Sequence, residues 1–227
     1  MNIPFDKIYI ISFVKNINRR NLIRKQFELL NISNYEFIYG IDIYSLKDLL
    51  YDSNKHSIYG TDCIDYNIHG ISCGLAHFTA LQHAQVNNYN KILICEDDIQ
   101  FINDLEYIEQ MLNQYPKDAD IVKFNSTLFS NINDFQNEVI EKYYMKGWIG
   151  SGATCYGIYN KQTINKMIDA YINKSIIADS YEIIDPNYNL YSLIKMICIV
   201  PEQKMIYYTY HKDKNLEFDY KNTLILT

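Results

Sequence analysis

No stretch of the chain approaches the roughly 20 consecutive apolar residues that a membrane-spanning helix needs. Asp6 and Lys7 interrupt what would have to be the apolar core of a secretory leader. A protein that starts at or near Met1 and works in the cytoplasm is the expectation. Cysteine is sparse, and Cys63, Cys73, Cys95, Cys155 and Cys198 include no C-x-x-C pair. That excludes a zinc ribbon and a dense disulfide framework and fits a reducing compartment. Basic charge is short as well: 21 Lys and Arg stand against 27 Asp and Glu, for a net charge of -6. A whole-surface attraction for nucleic acid is therefore not expected, and an anionic ligand must be held locally. Glycine is scarce, at 8 residues, and the first turn, Val14 to Asn18, contains none. A nucleotidyltransferase would want a glycine-rich phosphate loop there.

What is present suffices for a core. With 48% hydrophobic residues over 227 positions, one globular domain spanning residues 1–227 is expected. Lys7 to Val14 reads as a strand covered on both faces, because its run is β-branched and aromatic and bounded by polar residues. After Asn18 as a cap, Ile23, Phe27 and Leu30 recur at helical spacing, with Arg19, Arg20, Arg24 and Lys25 on the remaining surface. Tyr35 to Tyr39 then reads as a second strand ending at Gly40, so the opening is β-α-β.

Tyr51 to His69 is polar and aperiodic and reads as a loop, with Ser72 capping the next helix. A strand over Lys91 to Cys95 follows, then a helix from Leu105 to Gln114, a strand over Asp120 to Phe124 and another over Cys155 to Tyr159. The pattern closes with helices over Lys161 to Ile172 and Leu190 to Met196 and a strand pair around Ile197 to Val200 and Met205 to Tyr210. This is an α/β chain with a Rossmann-like mixed sheet flanked by helices.

The sharpest feature is Glu96-Asp97-Asp98, delivered at the carboxyl end of the Ile92 to Cys95 strand, where open α/β sheets bind their ligands. Three adjacent carboxylates repel one another, so a hard divalent cation or hydrogen-bond donors must compensate. On an extended chain Glu96 and Asp98 share one side and Asp97 points elsewhere, towards a ribose or a neighbouring donor. Glu96 and Asp98 would then share a metal-diphosphate unit, or else the triplet is a solvated acidic turn between two strands. Arg19, Arg20 and Arg24 would suit diphosphate oxygens, or else form a solvated helix face. Trp148, among glycines, would stack on an acceptor sugar or pack in the core.

Ile8 to Ser12 with Arg19-Arg20, Gly70-Ile71-Ser72-Cys73-Gly74-Leu75-Ala76-His77, Ile92 to Ile99 with the acidic triplet, and Gly152 to Ile158 follow one another in the chain. In this order the four segments resemble glycosyltransferase family 25, which includes lipooligosaccharide and collagen galactosyltransferases. The likeness spans residues 7 to 185. Ala76 stands where the family usually carries serine, and Ser12-Phe13 where an asparagine-leucine pair is usual.

The resemblance implies a GT-A type fold, a nucleotide-sugar donor, a glycan acceptor, and Mn2+ or Mg2+. It places Ser12, Arg19, Arg20, His77, Glu96 and Asp97 around the donor, with His77 beside the acidic motif. By analogy with such enzymes, Asp98 would be the direct metal ligand with Glu96 its neighbour on the metal, the ribose or both, and His211 would complete the site, or else be a surface histidine beside Lys212 and Asp213. Asp179, with Glu182 as second choice, would be the base that takes the acceptor proton, although Asp179 as a helix cap explains the same letters. UDP-galactose as donor, inversion at the anomeric carbon, and a surface glycan built in the cytoplasm are the implied specifics. The basic helix from Arg19 to Lys25 offers one patch for peripheral membrane association. The rival readings are a degenerate sugar-binding module, a metal-dependent nucleotidyltransferase, and a glycoside hydrolase with two carboxylates across a cleft.

Overall fold

The computed structural model describes residues 1–40, 64–125, 143–147, 154–174, 188–193, 196–200, 208–211 and 214–217. Its first forty residues form the expected β-α-β unit. Strand β1 (Lys7–Phe13) is buried along its centre and pairs in parallel with β2 (Tyr35–Gly40) on one side and with β3 (Ile92–Glu96) on the other. The chain passes from β1 to β2 through helix α1 (Ile17–Leu29) and enters β3 from the longer helix α2 (Ile64–Val86).

Alternation along the strands builds two cores. In β1, Ile8 and Ile10 face one side of the sheet, where they join Ile23 and Phe27 of α1. Tyr9 and Ile11 face the other side and join Ala76, Ala80 and Ala84 of α2. Helix α3 (Leu105–Asn113) adds Ile108, Met111 and Leu112 to the first core. Helix α4 (Lys161–Lys174) adds Ile164 and Met167 to the second. Each helix thus buries one apolar stripe against one face of the sheet.

Strand β7 (Cys155–Ile158) runs antiparallel between β3 and β5 (Ile121–Lys123), and β8 (Leu190–Leu193) and the edge strand β6 (Tyr144–Lys146) complete the seven-stranded order β2-β1-β3-β7-β5-β8-β6. Beside the sheet lie two short antiparallel pairs, β4 (Gln100–Phe101) with β9 (Cys198–Ile199) and β10 (Tyr208–His211) with β11 (Lys214–Glu217).

Both helices that lead into the parallel strands stop on an asparagine. Asn31 (φ 52°) and Asn88 (φ 59°) adopt the left-handed conformation. Around them Ile32 N–H donates to Phe27 O and Tyr89 N–H to Ala84 O, the closure that satisfies orphan carbonyls at a helix end. Asparagine tolerates this conformation better than most residues.

Three expectations change. Ile64 to His69 is helical, so Ser72 lies inside α2 and caps nothing. The Leu190 run is a central strand, not a helix: all four residues are buried, and a short apolar run carries no period that separates the two. The segment at Cys198–Ile199 pairs with β4, while Tyr208–His211 pairs with β11.

Gln26, wholly buried on α1, joins that helix to the chain beyond β3. Its Nε2 donates to Ile99 O at 3.2 Å and its Oε1 accepts from Phe101 N–H at 2.7 Å. Gln26→Ala would strand both backbone groups, and an unsatisfied buried group costs about 1–3 kcal/mol. Urea denaturation should show a loss of that size, and a change within ~0.3 kcal/mol would refute the role.

Candidate functional site

The carboxyl ends of the three parallel strands meet at one side of the sheet. Phe13 pairs with Gly40 and Ile11 with Glu96 in the register, so Ser12, Gly40 and Glu96 lie on one rim. They border an open cleft of about 90 Å³ that Asn16 and Arg19 of α1, Cys73 of α2 and Asp97 and Asp98 also line. A cleft at the carboxyl ends of parallel strands, where the strand order turns back, is the usual ligand position in such sheets.

Strand β3 ends at Glu96, and Asp97 and Asp98 occupy the turn that follows. The three carboxylates have different surroundings. Asp97 is 4% exposed and accepts from Ser12 Oγ at 2.5 Å, Asn16 Nδ2 at 3.1 Å and Arg19 Nη1 at 3.4 Å. Asn16 precedes the first turn of α1, yet its side chain makes no cap bond. It is turned to Asp97 instead. Asp97 is thus tied to the protein's own donors, the neighbouring-donor role that its position in the triplet allowed.

Asp98 is left less well served. Its Oδ1 is buried without a hydrogen-bond partner, and its Oδ2 lies 3.7 Å from Arg19 Nη1. Burial pushes its carboxyl up to about 7, the charge of Glu96 adds to this, and Arg19 opposes it. Glu96 turns towards α2. Its Oε1 is 3.7 Å from Cys73 Sγ, which donates to it, and 3.5 Å from His77 Nε2.

His77 is 1% exposed and meets Tyr156 of β7 end on, with ring planes 9° apart and Nδ1 2.6 Å from the tyrosine hydroxyl. The expected position of His77 beside the acidic motif is what the structure shows. Arg20 differs from the expectation of a surface cation on the donor. It is 7% exposed and donates to Phe13 O, to Val14 O at 2.7 Å and to Ser12 Oγ at 3.3 Å. Its guanidinium satisfies the carbonyls of the turn after β1, an interior task that the basic run did not reveal. Arg24, for its part, pairs with Asn21 and stacks on Phe37.

Arg19 alone of the three arginines lines the cleft. Trp148, Asp179 and Glu182 lie outside the described residues, as does the side chain of His211, whose backbone is in β10. Sequence reasoning passed over Asn16 and Cys73. The signal for Cys73 was its spacing, four residues before His77 and so on the same helical face.

A family described as "Glycosyltransferase family 25 (LPS biosynthesis protein)" matches residues 5–185. The Acanthamoeba polyphaga mimivirus protein "Putative glycosyltransferase R655" is 32% identical over 99 residues, 42% of this chain. The match spans only 29% of that relative's length. The solved structure "Crystal Structure of A197 from STIV" superposes with a TM-score of 0.45 at 12% identity, covering 94% of this chain and 90% of that one. No helix among the described residues is long and apolar enough to cross a membrane.

The raised carboxyl of Asp98 sets a pH dependence. Unfolded, it ionises near the ordinary 3.8; folded, it keeps its proton to about 7. Between these values the folded state binds more protons, so Asp98 subtracts stability as pH rises from about 4 to about 7. In EDTA, Asp98→Asn should therefore stabilise the protein by up to a few kcal/mol near pH 8 and be almost neutral near pH 4, each pKa unit being worth ~1.4 kcal/mol. Denaturation curves at both pH values test this; an equal effect at the two would refute it.

Proposed function

Since the chain belongs to glycosyltransferase family 25, we propose that it moves a sugar from a nucleotide-sugar donor to a hydroxyl of a glycan, in a cation-dependent reaction at the cleft between β1 and β3. The observation that carries this reading is the partnerless buried oxygen of Asp98 beside Glu96, at the carboxyl ends of parallel strands. An oxygen so placed lacks a positive partner, and hard divalent cations such as Mn2+ or Mg2+ take carboxylate oxygens. Asp98 would hold the ion and Glu96 would lie beside it. When bound, such a cation stabilises the negative charge that grows on a departing diphosphate.

The protein's own groups support the same reading. Arg19 stands 3.4 Å from Asp97 and 3.7 Å from Asp98 with its side chain 36% exposed, so its guanidinium is held at the cleft and still open to phosphate oxygens. Ser12 and Asn16 hold Asp97 and thereby fix the turn on which Asp98 sits. In a GT-A type reaction with inversion, an acceptor hydroxyl must lose its proton as it attacks the anomeric carbon. Asp179 is the first candidate for that base and Glu182 the second, with His211 as a third cation ligand and Trp148 on the acceptor side. The family's link to lipopolysaccharide biosynthesis favours a surface glycan such as lipooligosaccharide as acceptor, and UDP-galactose is the proposed donor.

Thermal unfolding with a panel of UDP-sugars, with and without Mn2+, separates the parts of this reading. UDP-galactose should raise the melting temperature only when the cation is present. Asp98→Asn should remove that rise and lower transfer by ~10²-fold or more, as expected where an ion supplies several kcal/mol. Donor binding indifferent to EDTA, or full transfer by the Asn variant, would overturn the cation role. Arg19→Ala should weaken donor binding about tenfold, the loss of roughly one charge-assisted contact. Unchanged affinity would remove Arg19 from the donor site.

A further inference from the structure

The inner wall of the cleft carries a second donor set, different in kind from the oxygen atoms of Asp98. Cys73 and His77 are one helical turn apart on α2, and both approach the same oxygen of Glu96, at 3.7 and 3.5 Å. One ligand atom from each of the three residues lies within 4.8 Å of the others. A tetrahedral ion with bonds of about 2.0–2.3 Å sets its ligand atoms roughly 3.3–3.8 Å apart, so two of the three edges already have that length.

His77 supplies an independent sign. Its ring is 1% exposed, and Nε2, the nitrogen that faces Glu96, is buried without a hydrogen-bond partner. The 3.5 Å separation is too long for a good hydrogen bond. The other nitrogen is already engaged: Nδ1 meets the Tyr156 hydroxyl at 2.6 Å. With Nδ1–H donating to that oxygen, Nε2 presents a lone pair to the site. A histidine whose far nitrogen is fixed by an oxygen partner is the common arrangement behind a metal ligand.

We propose that Cys73 Sγ, His77 Nε2 and Glu96 Oε1 form a three-ligand site for one borderline transition-metal ion of the Zn2+ type, with its fourth position open to the cleft. Sulfur and imidazole together select zinc over Mn2+ and Mg2+, which favour all-oxygen sites. Binding would release the thiol proton to solvent as Sγ joins the ion. The ion would clamp α2 to the tip of β3. Glu96 Oε1 would serve this site, leaving the second oxygen of that carboxylate for the cleft. The inference stands on these three residues and Tyr156 and does not require the transferase reading, so its test uses no donor or acceptor.

Equilibrium dialysis of the full chain against Zn2+ alone should give one tightly bound ion per chain, held at least ~100-fold more tightly than Mn2+. Zn2+ should also raise the melting temperature. Loading with Co2+ should produce a thiolate-to-metal charge-transfer band, and Cys73→Ser, at a half-buried position, should abolish that band and weaken zinc at least ~10-fold. Tyr156→Phe should weaken zinc by ~10-fold while the cobalt band persists, as loss of a partner behind the ligand does. Absence of stoichiometric zinc, a cobalt spectrum without the thiolate band, or unchanged zinc affinity in folded Cys73→Ser would each overturn the proposal.

Discussion

The carboxylate of Asp97 ties together the ends of three elements. Ser12 closes β1, Asn16 and Arg19 open α1, and Asp97 follows β3; one buried anion accepts from all three side chains. Taking a carboxylate out of water costs several kcal/mol unless donors replace the lost hydration. Here the donors come from a different part of the chain, so the compensation exists only when β3 has paired with β1. That dependence makes Asp97 a positioning group: it sets where the turn lies, and with it where Glu96 and Asp98 are presented.

The neighbours of Asp97 show the opposite choice. Asp98 keeps a buried oxygen with no partner, and its carboxyl is pushed up to about 7 by burial and by the charge of Glu96. Three consecutive acidic residues therefore divide into one satisfied anchor, one carboxylate with a partnerless buried oxygen and one side chain directed at Cys73 and His77. An unsatisfied carboxylate of this kind favours the arrival of positive charge. Antiparallel β7 contributes to the same wall: inserted beside β3, it brings Tyr156 up to His77 and fixes the orientation of that ring.

Much of this was legible in the residues. The β-α-β opening follows from a buried strand pattern and a helical stripe at Ile23 and Phe27, both of which report local periodicity. The acidic triplet at a strand end was visible for the same reason, since the Ile92 to Cys95 run bounds it. The start of α2 at Ile64 is harder to read: Ile64, Ile68 and Ile71 recur at helical spacing, but the poor helix formers Asp65, Asn67 and Gly70 lie between them. The Leu190 run gives no signal that separates strand from helix, because burial on both faces removes alternation. Arg20 reads as a surface charge because sequence spacing shows the helical face but not the carbonyls of Phe13 and Val14 folded back towards it.

The sequence by itself determined the alternation of helix and strand, the family of the chain and the placing of three negative charges at the tip of one strand. Tertiary structure alone decided which of those charges is neutralised. Asn16, Arg19, Cys73 and His77 reach the triplet from the start of α1 and from α2, 19 to 81 residues distant in the chain. Hydrogen bonding and desolvation act over a few ångströms in space, and such distances are fixed by packing of the sheet and its helices rather than by the order of the letters.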